Sequence, residues 1–352
     1  MNNQTSVSFA KNRFYYLDFL RVLSAFAVIC IHFNGMKCSA FQFGDFESMP
    51  YIVVYCFSGF AVPTFFMISG VLFLDNSKKI TVKRLFTKNI IKHFICWILW
   101  LCIYALFYYI FNRDNIMDFD MFIDRFVYHL WFLPILIGIY IFIPLIRCVT
   151  SHKNMIEYFL VIAILPSVIL FSLNLFITLK EIKHLYSSFI LCDKMKYIMY
   201  FILGHYIHTY GLKRKMKIFV IIAGITSFFI SLLIIGISYY KGSEFYQNIR
   251  SNFIFTTFFE GLFVFCIVKH IFNKYCMKEK VLQIIVFLSK YTLGIYVVHV
   301  LVIHVLNYFP IEKIIFFHFA ISPLVSPLII FIISFIISFI LHRIPIVNKY
   351  LV

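Results

Sequence analysis

Three ionisable side chains, Asp18, Arg21 and His32, stand in one apolar stretch, YYLDFLRVLSAFAVICIHFNG. In such a setting a charge needs a partner or a task. Arg21 and His32 are eleven positions apart, which at 100° per residue brings them to one face of a helix, about 16 Å apart along its axis. A neutral imidazole so placed can take the proton of an attacking hydroxyl, and a guanidinium can hold a phosphate or carboxylate through paired N–H groups. Plainer uses exist. Arg21 can reach the helix end and pair with Asp18 three positions earlier, the preferred reading for Asp18, and His32 can hydrogen-bond a neighbouring helix.

The second apolar stretch is followed by Lys78, Lys79, Lys83, Arg84 and Lys88. This run suits phosphate binding, and it equally suits a loop retained on the cytoplasmic side. Ser69 and Gly70, in FFMISG, favour close helix packing over a covalent relay through Ser69, and Pro63 is expected to kink that helix. Glu260, in FTTFFEGLFVF, is the acid near the middle of a span; it either orients a catalytic group or pairs with a cation from another helix. His205 and His208 have a spacing open to a metal, yet without an evident third ligand polar helix contact is favoured and no metal is expected.

Placing these groups takes a membrane. Of the 352 residues, 62% are hydrophobic, 20% aromatic and 13% charged, more apolar side chain than a soluble domain of this size can bury. A spanning helix needs about 20 mostly apolar residues. Ten segments approach that length, near 15–34, 51–74, 90–111, 130–149, 157–178, 197–212, 218–240, 253–272, 281–307 and 319–341. All loops are short, and neither a Gly/Ser/Pro-rich linker nor an internal repeat is evident. The expected fold class is an all-α integral membrane protein of about ten transmembrane helices, one domain over 1–352.

Charge supports the count. With the N-terminus inside, the inside segments hold nineteen basic residues against three acids (Asp75, Glu157 and Glu279), while the outside segments hold ten of each, including the cluster Asp114, Asp118, Asp120 and Asp124. That is the asymmetry cytoplasmic loops show. Dropping the short sixth span would move the run Lys213 to Lys217 outside and spoil it. Both termini are therefore expected in the cytoplasm. The formal charge of +17 is spread in short runs between apolar stretches, so no nucleic acid is expected as a partner. The nine cysteines form no C-x-x-C pair and read as small hydrophobes. No small-residue cleavage site follows His32, so the first stretch is read as a retained helix and not a signal peptide.

Four motifs in order resemble the acyltransferase-3 family of membrane O-acyltransferases, of the surface polysaccharide O-acetyltransferase type. LDFLR through His32 matches its basic residue, ten intervening residues and histidine; VPTFFMISGVLF at 62–73 is similar to its second-helix phrase; HLWFLPILIGIYIFIPL at 129–145, with Trp131, resembles its Trp-Phe-Leu helix; and YTLGIYVVHVLVI at 291–303, with His299, its late Ile-Tyr-x-x-His segment. The resemblance implies transfer of an acyl group, usually acetyl, from cytoplasmic acyl-CoA to a hydroxyl of a surface glycan or its lipid-linked precursor, in a bacterial inner membrane. It makes His32 the candidate base and Arg21, at the other end of the helix, its catalytic companion, with Arg84, Lys83 and Lys88 the candidate contacts to acetyl-CoA. Ser69, Glu260, His299 and Trp131 are candidates for the substrate or supporting groups.

One departure is visible: the family often carries two arginines three apart after the second helix, whereas Arg84 is followed by Thr87 and Lys88, and lysine is not an equivalent fork donor. Two rival readings are a transporter or flippase for a lipid-linked sugar or small anion, and a scaffold subunit of an export complex. The acceptor sugar, the acyl group and the oligomeric state are not legible.

Overall fold

The computed structural model describes residues 13–42, 44–77, 80–111, 122, 127–176, 190–241, 254–309 and 318–350. Lys11, Lys78, Lys79, the acidic cluster Asp114 to Asp124 and most of the outer loops 112–129 and 179–196 lie outside them. The described residues are helical, without strands, as expected where no water is available to satisfy backbone N–H and C=O groups.

In chain order the helices are α1 (Tyr15–Ala40), α2 (Met49–Phe57), α3 (Ala61–Phe73), α4 (Val82–Leu85), α5 (Ile91–Phe111), α6 (Phe132–Thr150), α7 (Lys153–Phe176), α8 (Ile190–Thr209), α9 (Arg214–Lys241), α10 (Ile254–Lys274), α11 (Glu279–Ser289), α12 (Thr292–Tyr308), α13 (Ser322–Leu341) and α14 (Pro345–Tyr350). Among the described residues, seven spans are long and apolar enough to cross a membrane, or eight if the bent pair α11–α12 counts as one. Helices α7 and α8 fall on the fifth and sixth expected segments.

Two expected spans are broken. The stretch 281–307 bends by 61° between α11 and α12. The second span turns over Ser58 to Phe60, between α2 and α3. Pro63 follows that turn and sits in the first turn of α3, where its missing N–H has no partner to lose.

Helix α1 is the hub, packing against α2, α3, α10, α11, α12 and α13. Small residues allow the closest approaches. A Cβ at Gly70 would strike the Phe201 carbonyl, and one at Gly204 would strike the backbone of Met67, so α3 and α8 cross backbone on backbone. Asn34 on α1 donates to the carbonyls of Cys30 at 2.8 Å and Pro323 at 3.1 Å, which ties α1 to α13. Ser322, Ser326, Ser334 and Ser338 form a buried stripe along α13.

One end of the bundle gathers the segments assigned inside by charge. Arg147 at the end of α6 donates to the Asp75 carbonyl at 2.8 Å and to Asn76 Oδ1 at 3.2 Å. Tyr206 donates to Glu157 at 2.7 Å, joining α8 to α7. Lys269 donates to the carbonyls of Ile207 at 2.7 Å and His208 at 3.0 Å, adding to the Gly211 N–H that already bonds the Ile207 carbonyl at the C-terminal end of α8. At the opposite end Tyr239 donates to the Gln42 carbonyl at 2.7 Å.

Candidate active site

A cavity of about 390 Å³ runs along α1 from Arg21 to His32. Three turns of helix separate the two residues, and both side chains reach the same space, as their spacing predicts. Ser69 and Phe65 of α3, His93 of α5, Tyr140 of α6 and Tyr296 of α12 line the rest. The walls are mostly apolar with a few convergent polar groups, the usual character of a small-molecule site.

At its upper end the cavity meets three histidines from distant parts of the chain. The His32 ring lies 5.2 Å from that of His299 and 6.2 Å from that of His129, and His129 and His299 are 5.3 Å apart between centroids. Tyr128 packs edge-on to His32 at 5.1 Å.

Of the three rings, His299 has the best-defined role. It is fully buried, and its Nδ1 lies 2.6 Å from the Tyr296 carbonyl. A carbonyl only accepts, so Nδ1 carries the proton and Nε2 is left as an acceptor in the neutral ring. That Nε2 has no partner among the described residues.

His129 is also buried, without a formed hydrogen bond at either nitrogen. The Val297 carbonyl close to it already accepts from Tyr104 at 3.0 Å. Tyr296 donates to the His129 carbonyl, and Tyr104, which accepts from the Leu301 N–H at 2.9 Å, packs edge-on against the His129 ring at 5.1 Å. Buried polar atoms are expensive to leave unpaired, and here three of them, both His129 nitrogens and His299 Nε2, gather at one end of the cavity. Among the described residues no three His, Cys, Asp or Glu side chains are disposed to hold a metal ion.

At the other end the fixed point is Asp18. Its carboxylate is buried and accepts from Arg13 Nε at 2.7 Å, Arg13 Nη2 at 3.1 Å, Arg21 Nη1 at 3.3 Å and Ser289 Oγ at 3.0 Å. Ser289 closes α11 at the bend before α12, so the broken span delivers a hydroxyl to the ion pair. With the longest of these bonds, Arg21 is the loosest partner and keeps part of its guanidinium toward the cavity.

A family profile described as an acyltransferase domain matches residues 14–343. The chain belongs to the acyltransferase-3 family. Comparison with curated proteins and with solved structures returned no match.

The acyltransferase brings some candidate residues together and leaves others apart. Arg21, His32, Ser69 and Trp131 line the cavity, and His299 stands directly behind His32. The Ser69 hydroxyl donates back to the Phe65 carbonyl at 3.0 Å, an ordinary helix contact that favours packing over a relay. Lys83 and Arg84 on α4, and Lys88 on the π-type turn that follows, are exposed and contribute nothing to the cavity wall. Glu260 lines a separate, adjoining chamber.

His208 meets Tyr16 at 2.6 Å and the edge of Phe14, the polar helix contact expected of it. Sequence reading did not single out His129, Tyr128 and Tyr104. His129 opens the very phrase HLWFL that was recognised for its aromatic residues, and a histidine at the mouth of an apolar run was the available signal.

Proposed function

We propose that this acyltransferase is an O-acetyltransferase of a bacterial plasma membrane, moving acetyl from acetyl-CoA to a sugar hydroxyl of a surface polysaccharide or its lipid-linked precursor. The observation that carries the reading is one cavity joining Arg21 to His32 in a chain of this family. Ten spans with both termini in the cytoplasm follow from the charge pattern, and the gathering of basic segments at one end of the bundle supports them.

On this reading the donor enters from the Arg21 end. The basic residues Lys83, Arg84 and Lys88 meet coenzyme A phosphates outside the cavity, as exposed cations at the cytoplasmic surface can, and the thioester reaches toward His32. The His32 imidazole takes the proton of the acceptor hydroxyl as its oxygen attacks the thioester carbonyl carbon. The C–S bond then breaks, the coenzyme A thiolate leaves and is protonated, and acetyl remains on the sugar oxygen. His299, outside the cavity lining, and His129, beside His32 on the cavity wall, pack around the His32 ring and limit how it can turn.

The test is mass spectrometry of surface polysaccharide from cells carrying the wild type, a deletion, or His32→Ala at matched membrane levels. Loss of acetyl in both altered strains is expected. Full acetylation in the deletion strain would return the protein to the transporter reading, for which a bent span such as α11–α12 would also serve.

A further inference from the structure

A second chamber of about 220 Å³ adjoins the histidine cavity, sharing Ile31, Val62 and Trp131 as a common wall. Glu260 of α10 lines it and is fully buried. Its Oε1 accepts from Ser231 at 2.6 Å, while Oε2 has no hydrogen-bond partner, and no cation pairs with it among the described residues. The oxygen faces Gly59, where a Cβ would stand only 2.5 Å from Oε2 and 3.0 Å from Thr257. Gly59, at the turn between α2 and α3, thus packs directly on the carboxyl group, and a side chain there would push Glu260 aside.

Aromatic rings form part of the remaining wall. Trp131 packs on Tyr197 at 5.5 Å, Tyr200 lies one helical turn further along α8, and Lys196 lies 5.0 Å above the Tyr197 ring. A buried acceptor without a donor, flat apolar walls and a basic donor at one side match a small ring that carries hydroxyls. The ring's apolar faces would lie on the aromatic side chains and a hydroxyl would donate to the carboxylate.

We infer that this chamber is the acceptor subsite, seating one hydroxylated sugar ring whose hydroxyl donates to Glu260 and whose neighbouring hydroxyl passes the shared wall toward His32. The inference rests on the acetyl-transfer reading. It assigns acceptor recognition to α2, α3, α8 and α10, apart from the donor end at Arg21.

The experiment measures acetyl transfer by the purified full-length protein from acetyl-CoA to oligosaccharides prepared from alkali-deacetylated surface polysaccharide. Glu260→Gln and Gly59→Ala are each expected to raise the KM for oligosaccharide at least tenfold, about 1.4 kcal/mol, while the KM for acetyl-CoA stays within twofold. Equal rises in both constants, or no change in either, would overturn the subsite. In the wild-type protein, the same oligosaccharides should slow labelling of Glu260 by a hydrophobic carbodiimide; labelling at an unchanged rate would overturn it even if both variants fail to fold. No transfer by the wild type would instead defeat the functional reading.

Discussion

The rings of His32 and His299 lie 5.2 Å apart, although one belongs to the first helix and the other to the twelfth. His299 Nδ1 is committed to the Tyr296 carbonyl, so its Nε2 can only accept, and it cannot donate to a neighbouring imidazole while both are neutral. On the proposed mechanism His32→Gln should lower acetyl transfer by about a hundredfold or more, the scale of a lost general base. His299→Gln should cost less, because it removes a positioning contact. Turnover at saturating acetyl-CoA, with membrane levels matched, checks both; a larger loss at His299 than at His32 would reverse their roles.

Asp18 accepts from Arg13, Arg21 and Ser289 in one buried knot. Asp18→Ala would strand Arg21 beside an apolar wall, and breaking a buried pair costs about 3–5 kcal/mol in full burial. Both arginines are partly exposed, at 36% and 29% of their side-chain surface, so the expected loss is smaller, about 1–3 kcal/mol. The Ser289 hydroxyl has one proton to share between Asp18 and the Val286 carbonyl, each at 3.0 Å, so Ser289→Ala should cost about 1 kcal/mol, the scale of an ordinary hydrogen bond. Thermal unfolding in detergent should rank Asp18→Ala below Ser289→Ala, and Ser289→Ala below the wild type.

How much of this was legible in advance differs by residue. The α1 pairing of Arg21 with His32 was readable because a helix has a fixed period, so spacing alone decides which residues share a face. The close packing of Gly70 was readable for a similar local reason. The approach of His129 and His299 to His32 was not, since it depends on how three distant segments pack, and a histidine looks alike whether it faces a partner or lipid. The break at Lys290 was also hidden, because apolar content continues through it and hydropathy reports composition, not direction; in the second span Pro63 signalled an irregularity, which falls just before it at Ser58 to Phe60. Lys83, Arg84 and Lys88 followed the motif order but stand outside the cavity wall, because spacing along the chain says nothing of how far a loop reaches.

Gly70 and Gly204 face backbone across the α3–α8 crossing, with no room for a methyl group at either. Gly70→Ala and Gly204→Ala should each destabilise the fold by about 1–3 kcal/mol, the usual cost of overpacking. Gly138, which has open space around its Cβ position, is the control, and Gly138→Ala should be neutral or slightly stabilising through helix propensity. Equal melting temperatures for Gly70→Ala and Gly138→Ala would show that the crossing can relax.

The exposed basic run and Arg21 within the cavity should separate by their response to salt. Lys83, Arg84 and Lys88 are exposed, so any grip they have on donor phosphates is screened over about 8–10 Å at moderate ionic strength. Arg21, held against buried Asp18 inside the cavity, is screened much less. Arg84→Ala should therefore raise the KM for acetyl-CoA severalfold at low salt and little at high salt, whereas Arg21→Ala should impair transfer at both. Steady-state kinetics at two ionic strengths distinguish them. If Arg84→Ala leaves the low-salt KM unchanged, the basic run serves to retain its loop on the cytoplasmic side, and the donor is held from within the cavity by Arg21.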